Sequence, residues 1–268
     1  MDQPSNESFE FFQRATQKRK STGMATAHFH LHHELYYLVN GRAKYFVGSK
    51  IHLLNAGDFI IIPKNEYHKT EYFSDTDIER LMLIFDDDFL GKDYLDYFEK
   101  LSELRHIRVQ AAEMHPLRSI FKKIEDESTQ KLDGYENMQK MYLRQLLILL
   151  ARYGRDVNQG LSETYKMAQD AARYISANCS NELTLKDVAD KYSLSPGHFS
   201  KQFKKATGVG FTEYILISRI SMAKEMLDAG EKNISTVAFA CGFNDSNYFS
   251  RMFKKLNGIS PKKYSSLF

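Results

Sequence analysis

Six of the nine histidines fall between residues 28 and 68. Polar and apolar residues alternate through the first part of that stretch, the pattern of a strand with two unlike faces. Period two puts His28, His30, His32, Glu34 and Tyr36 on one face, and Phe29, Leu31, Leu35, Tyr37 and Val39 on the other. A polar face on a strand buried on both sides predicts a barrel interior that meets a ligand. Buried imidazoles can also serve one another as hydrogen-bonded structure, and His32, His33 and His52 are expected to be structural or exposed. A second set of residues suits different chemistry. Lys201, Lys204 and Lys205 recur as Arg251, Lys254 and Lys255, and cations three and four apart on a helix form one basic face that can neutralise phosphates.

Those cations belong to an internal repeat with a period of 50 residues. Residues 199–214 read FSKQFKKATGVGFTEY and residues 249–264 read FSRMFKKLNGISPKKY. Phe199, Ser200, Phe203, Gly208 and Tyr214 return as Phe249, Ser250, Phe253, Gly258 and Tyr264. Ser195-Pro196 is a helix start, with an N-cap hydroxyl and proline at the first helical position. Gly208 fits the following C-terminal cap. Upstream, Thr184-Leu-Lys-Asp187 is a capping-box start for a helix carrying Leu185, Val188, Ala189 and Tyr192. In the second copy Ile234, Val237, Ala238 and Cys241 form the apolar stripe, and Cys241 reads as a small core residue. Gly242-Phe243-Asn244 makes the turn, and Asp245 or Ser246 opens the next helix.

Each copy is thus a helix, a short turn and a second helix. Phe199 with Phe203, and Phe249 with Phe253, stand four apart and must face a core. The opposite faces carry Gly197, Ser200, Lys201 and Lys204 in one copy, and Ser246, Asn247, Ser250 and Arg251 in the other. Arg251 or Lys201 could donate to guanine O6/N7, and Asn247 could pair with adenine. Between the copies, Thr212–Ala229 predicts one helix closed by Gly230, about 27 Å long at 1.5 Å per residue. One turn of B-DNA is about 34 Å, so the two copies could reach successive major grooves. Residues 183–268 resemble the double helix-turn-helix domain of AraC/XylS-type transcription regulators. GFNDSNYFSRMFKKLNGISPKKY (242–264) is similar to that family's signature, and LSPGHFSKQFKKATG (194–208) to its first motif. The resemblance implies base reading by Gly197, Ser200 and Lys201, and by Ser246, Asn247 and Arg251. Gly197 departs from the larger side chain common there, and Phe211 stands where the second copy has Pro261.

In the front half, candidate strands are Ala27–Val39, Lys44–Val47, Lys50–Leu54 and Asp58–Ile62. Turns fall at Asn40-Gly41, Gly48-Ser49 and Asn55-Ala56-Gly57, and Pro63-Lys64-Asn65 ends the last strand. His28-x-His30-x3-Glu34-x6-Gly41 and Gly57-x5-Pro63-x-Asn65-x2-His68 resemble the two cupin motifs, with Asn65 in place of a glycine. In cupin enzymes the matching residues, here His28, His30, Glu34 and His68, bind a divalent metal, and such a donor set suits Fe, Mn, Ni or Zn. Sensor domains of AraC-type regulators are also similar to cupins, and use the barrel as a pocket for a small effector, often a sugar. That resemblance implies an effector site without metal or other cofactor: His30, Glu34 and His68 hold hydroxyls, and Tyr36 stacks on a sugar ring.

Composition narrows the alternatives. The chain has 268 residues, 37 Lys+Arg, 34 Asp+Glu and two cysteines, and its apolar fraction of 43% is enough for packed cores. Residues 164–268 carry 15 basic and 9 acidic side chains, a net of +6 against −3 for the remainder. A basic C-terminal part suggests a polyanion partner. The longest apolar run, Leu146–Ala151, has six residues, against about 20 for a membrane span. The polar N-terminus is no secretory signal, and two cysteines without a framework fit a cytoplasmic protein. No phosphate loop, nucleophile elbow or zincin helix is present.

Residues 91–158 predict helices. Leu117, Ile120, Phe121 and Ile124 form one stripe, whereas Gln139–Tyr153 is apolar on more than one face and needs two neighbours, one of which could be a second subunit. Residues 154–163 suit a linker. The expected organisation is a polar arm (1–20), a cupin-like effector-binding and dimerising domain (21–158), and a double helix-turn-helix domain (163–268). The fold class is α+β, a β-barrel with flanking helices followed by an all-α domain. The expected function is effector-responsive transcription regulation by a homodimer, with double-stranded DNA, a small molecule and RNA polymerase as partners and no membrane. The alternative is a metal-dependent cupin oxygenase or isomerase with a helical tail.

Overall fold

The computed structural model describes residues 8–16, 29–73, 76–157 and 160–266. Its front half is built on two antiparallel sheets. The larger contains β1 (Phe9–Thr16), β2 (His33–Asn40), β5 (Asp58–Ile62), β7 (Ile78–Phe85), β8 (His106–Arg108) and β9 (Arg155–Asp156), in the order β1-β7-β2-β5-β8-β9. The smaller contains β3 (Arg42–Val47), β4 (Lys50–Asn55) and β6 (His68–Tyr72), in the order β4-β3-β6. Side-chain alternation explains why the sheets close on each other. Tyr36 and Leu38 of β2, Tyr45 and Val47 of β3, Ile60 and Ile62 of β5, and Met82 and Ile84 of β7 fill one interior cluster.

The other faces of these strands point to two further cores. Leu35, Tyr37, Phe59, Ile61, Leu83 and Phe85 leave the larger sheet towards α2 (Leu95–Leu104), α3 (Met114–Gln130) and α4 (Tyr135–Tyr153), which follow the short α1 (Asp87–Leu90). On the smaller sheet, Phe46 and Ile51 face the C-terminal half and belong to its core. That half is entirely helical: α5 (Glu163–Asn178), α6 (Leu185–Lys191), α7 (Pro196–Thr207), α8 (Phe211–Asp228), α9 (Ile234–Ala240), α10 (Ser246–Asn257) and α11 (Pro261–Ser265). The expected α+β class, a barrel with flanking helices ahead of an all-α domain, is the fold observed.

Several local expectations give way. Residues 9–16, expected as part of a polar arm, are an edge strand paired with β7 from Phe9↔Phe85 to Thr16↔Ile78. The aromatic residues explain it: Phe9 stacks on Phe89 at 4.5 Å and Phe11 joins the helical side, while Phe12 joins the barrel interior. The strand expected over Ala27–Val39 begins only at His33, so His30 precedes it, and His28 lies outside the described residues. The helical stretch expected over 91–158 is broken by β8, whose Ile107 is buried opposite Phe59 of β5. Helix α4 does find two neighbours within the chain: Leu143, Leu146, Leu147 and Leu150 are buried in a core shared with α2, α3 and the sheet.

A polar cluster pins β5 to β8. The buried Asp58 carboxylate accepts from His106 Nε2 at 3.0 Å, from Arg108 at 2.6 and 2.8 Å, and from the Asn55 amide at 2.8 Å. Burial would raise its pKa, but those donors hold it below the usual carboxylate value. Beside it, burial and the neighbouring His106 push the His52 imidazole down to about 3. The unfolded chain would protonate His52 near the ordinary imidazole value of 6.5, and the folded chain only near 3. Folding stability from His52 is therefore full above pH 6.5 and is lost as pH falls towards 3. Urea titrations between pH 7 and pH 4 should show falling stability, and His52→Gln should flatten that slope.

Candidate functional site

The two repeat copies fold alike because their punctuation is alike. Thr184 caps α6, and a reciprocal capping box with Asp187 is formed. Helix α6 ends in a turn with Ser193 at φ 55°, where the Leu194 amide reaches back to the Ala189 carbonyl at 3.0 Å. Helix α9 ends the same way, with Gly242 at φ 84° and the Phe243 amide on the Ala238 carbonyl at 3.0 Å. Ser195 then caps α7, and Asp245 caps α10. Asn244 makes the second turn one residue longer than the first. Both second helices stop at a left-handed glycine, Gly208 and Gly258, each at φ 77°. Helix α8 joins the copies with 18 residues.

Burial divides each second helix as the spacing predicts. Phe199, Phe203, Phe249 and Phe253 have no exposed surface. On α7, Gly197, Lys201, Lys204 and Lys205 are exposed and Ser200 is half-buried. On α10, Asn247, Arg251, Lys254 and Lys255 are exposed, while Ser246 and Ser250 are half-buried. Two further residues share these faces. His198 and Tyr248 are equivalent by the 50-residue period and both are exposed. The Arg251 guanidinium lies 5.8 Å from the Tyr248 ring centre. The same repeat register could have found them.

In the front half, the fold gathers three of the sequence-picked residues from separate segments. Glu34 points inward from β2, His30 folds back from the preceding bend, and His68 starts β6. All three are buried. His30 Nε2 lies 3.3 Å from Glu34 Oε2, and His68 Nε2 lies 3.8 Å from the same oxygen. One ligand atom from each residue falls within 4.8 Å of the others. Two imidazoles and a carboxylate can order hydroxyl groups or hold a divalent cation. Tyr36 sits two residues further along β2, packed edge-on against Tyr45 at 5.0 Å, with its hydroxyl donating to the Tyr72 oxygen at 3.4 Å. Its ring faces are thus occupied by protein, and burial pushes its hydroxyl pKa well up. His32 is half-buried, and burial lowers its pKa. His33 is a structural residue: its Nε2 donates to Asp87 at 2.6 Å and its Nδ1 accepts from the Lys64 amide at 3.0 Å.

Comparison with known proteins matches these two halves separately. A family model described as an AraC-like ligand binding domain covers residues 14–144, and one described as a helix-turn-helix domain covers residues 188–266. The chain belongs to the AraC-type transcription regulators. It is 23% identical to the HTH-type transcriptional activator RhaR of Mannheimia succiniciproducens, over 90% of this chain and 87% of that one. It is 38% identical to the regulatory protein PocR of Salmonella typhimurium, over 35% of this chain and 31% of that one. Among solved structures it is similar to ToxT of Vibrio cholerae, at 16% identity and a TM-score of 0.40 over 98% of this chain and 99% of that one. The protein is an effector-responsive, DNA-binding regulator and not an enzyme, so the expectation of a cupin oxygenase or isomerase falls. No helix among the described residues is long and apolar enough to cross a membrane.

What the sequence did not disclose is how the regulator's halves meet. Phe46 of β3 packs on Tyr214 of α8 at 5.5 Å. Lys44 Nζ donates to the Lys205 carbonyl at 2.7 Å, and Lys69 Nζ to the Gly208 carbonyl at 2.6 Å, so two barrel lysines cap the C-terminal end of α7. Lys44 also pairs with Glu71 at 2.7 Å. Close to the histidine site, the Asn65 amide donates to the His30 carbonyl at 2.8 Å, and Asn65 Nδ2 to the Tyr264 hydroxyl at 3.1 Å. Lys224 of α8 is buried over Phe29, with its Nζ 4.3 Å from the ring centre, and burial lowers its pKa to about 7. A lysine inside an apolar face carries no periodic signal of its own, which is why Lys44 and Lys224 escape a reading by pattern.

Gly242 is the position on which the second motif's turn depends. A Cβ there would lie 2.6 Å from the Ser180 carbonyl oxygen and 2.9 Å from Ser180 Cα, at a φ that L side chains rarely adopt. Gly242→Ala should destabilise the C-terminal half by about 1–3 kcal/mol. Chemical denaturation followed by far-UV circular dichroism would measure it.

Proposed function

We propose that α7 and α10 enter successive major grooves of one DNA duplex, and that a small molecule bound at His30, Glu34 and His68 shifts how firmly they do so. The observation that carries the first part is the repeat made physical: two helices with the same buried phenylalanine pair and the same exposed cations, joined by the 18 residues of α8. At 1.5 Å per residue α8 is about 27 Å long, against about 34 Å for a turn of B-DNA. In this reading Gly197, Ser200 and Lys201, and Ser246, Asn247, Ser250 and Arg251, meet base edges. Lys204, Lys205, Lys254 and Lys255 meet phosphates. The DNA-binding domain is 163–268.

The second part assigns 21–158 to sensing and dimerisation. A sugar suits the polar triad, because carboxylate and imidazole groups hydrogen-bond vicinal hydroxyls; the expected stacking of a sugar ring on Tyr36 cannot form, since Tyr45 and Arg80 cover it. The segments carrying His30 and His68 also carry Phe29 and Asn65, which touch Lys224 and Tyr264 of the DNA-binding half. An effector that parts those segments therefore acts on the reader directly, with a coupling of about 1–3 kcal/mol. Exposed Met141 on α4 and Tyr97 on α2 support a homodimer through the front half. The working place is the cytoplasm, with RNA polymerase as the further partner.

Arg251→Ala should weaken operator binding by about 1–3 kcal/mol and relax sequence preference at the base it reads. Lys255→Ala should weaken all sequences alike and reduce the salt slope by about one. Fluorescence anisotropy with operator and scrambled duplexes at several salt concentrations separates the two. Operator affinity unchanged in Arg251→Ala would overturn the placement of α10. Glu34→Ala should abolish the thermal shift given by the effector sugar while leaving effector-free DNA binding in place. A full response in that variant would remove the triad from the effector site.

A further inference from the structure

The repeat supplies its own control, because α7 and α10 share a frame but not the side chains on their exposed faces. Three pairs of positions related by the 50-residue period differ, and all differ in one direction. Asn247 is an exposed amide on α10, where α7 has Gly197. A Cβ at Gly197 would meet nothing within 4 Å, so that place on α7 is bare rather than filled by a neighbour. Arg251 stands four residues on from Asn247, beside it on the same face, where α7 has Lys201. An asparagine amide and a guanidinium can each meet one base with two hydrogen bonds at once. A lysine ammonium is a compact charge with three rotating donors and no such paired edge.

The third pair concerns what holds those groups. Tyr248 is 43% exposed, and its ring packs against the buried Phe243 at 6.2 Å between centres. Its backbone is pinned as well, since Asp245 Oδ1 accepts from the Asn247 and Tyr248 amides at 2.6 and 3.0 Å. The Arg251 guanidinium lies over that ring, 5.8 Å from its centre, within the range at which a ring face attracts a cation. The counterpart of Tyr248 on α7 is His198. There Gln202 Nε2 donates to His198 Nε2 at 2.6 Å, so the ring is engaged with the residue four along. The position equivalent to Gln202 is Met252, an apolar side chain that packs on the helical core. A long arginine stem loses freedom when it is ordered on binding, and a stem ordered beforehand avoids that cost.

We propose that base discrimination is divided unequally: α10 carries most of it through Asn247 and Arg251, Tyr248 is the positioning residue that presets Arg251, and α7 holds the duplex mainly by charge. This rests on the reading in which both helices lie in major grooves, and it sharpens that reading by ranking the two.

The test uses the full chain and a duplex that it selects from a random-sequence pool. Fluorescence anisotropy then measures every single base-pair substitution in that duplex. One half-site should lose about tenfold or more at the bases that are read, and the other less than about threefold. Arg251→Ala should level the strong half-site, whereas Lys201→Ala should weaken all duplexes alike and reduce the salt slope by about one. Equal discrimination at both half-sites, or a strong half-site that Lys201→Ala levels, overturns the unequal division. Arg251→Ala without effect at any base overturns the groove placement itself. Tyr248→Ala should weaken the selected duplex about two- to tenfold, leave a scrambled duplex unchanged, and add no loss in an Arg251→Ala background. Tyr248→Phe, which keeps the ring, should restore binding. Equal loss on both duplexes, a further loss in the Arg251→Ala background, or no rescue by phenylalanine overturns the positioning role. If Tyr248→Ala fails to fold, Tyr248→Leu decides by the same readouts, because it keeps apolar bulk against Phe243 without a ring face.

Discussion

Strand β3 is buried on both of its faces, and the regulator's organisation depends on that. Tyr45 and Val47 point into the barrel, while Phe46, between them in sequence, points into the core of the helical half. Full burial of such an aromatic side chain contributes about 1.5–3 kcal/mol, and here one strand contributes it to two cores at once. The consequence is mechanical. A one-residue slip of β3 would exchange the two sets of side chains and ruin both cores together. The strand is also the central member of its sheet, flanked by β4 and β6, so its register is fixed from both edges.

The hydrogen-bonded contacts between the halves are arranged around that seam. Lys44 and Lys69 come from β3 and β6, and both end on carbonyls at the close of α7. Asn65 and Phe29 come from the two segments that flank the histidine triad, and they end on α11 and α8. The first helix-turn-helix is thus tied to the barrel wall, and the second is tied to the barrel mouth through Tyr264. A disturbance at the mouth reaches the two helix-turn-helix units by different routes, which, in the proposed reading, is a physical basis for changing their relative hold on DNA without unfolding either.

Much of the C-terminal half is legible in the sequence because its instructions are local. Thr184 with Asp187, Ser195 with Pro196, and the glycines 208 and 258 each act within one turn of helix, and the repeat reports them twice. The phenylalanine pairs likewise fix which face is hidden. The histidine triad is legible in identity but not in construction. Period two places Glu34 and Tyr36 correctly, yet His30 is not on the strand at all, and it reaches Glu34 only because the chain bends at residues 31 and 32. Strand β1 was obscured by its polar neighbours, although Phe9 and Phe12 already point to opposite sides. The inter-domain lysines were hidden for a different reason. Their meaning comes from carbonyls more than a hundred residues away, and no spacing rule reaches that far.

The uninterrupted helix α8 has a consequence for how this regulator can change over time. A helix advances by 1.5 Å and turns by about 100° for each residue. Adding one residue within α8 would therefore swing the second helix-turn-helix by rather more than a right angle relative to the first while barely altering its distance. Drift in the separation of the two helix-turn-helix units cannot be followed by small insertions there, whereas, in the proposed reading, changes of base preference need only new side chains on α7 and α10. In the proposed reading, the length of α8 fixes the spacing of the half-sites far more tightly than the side chains of α7 and α10 fix their letters.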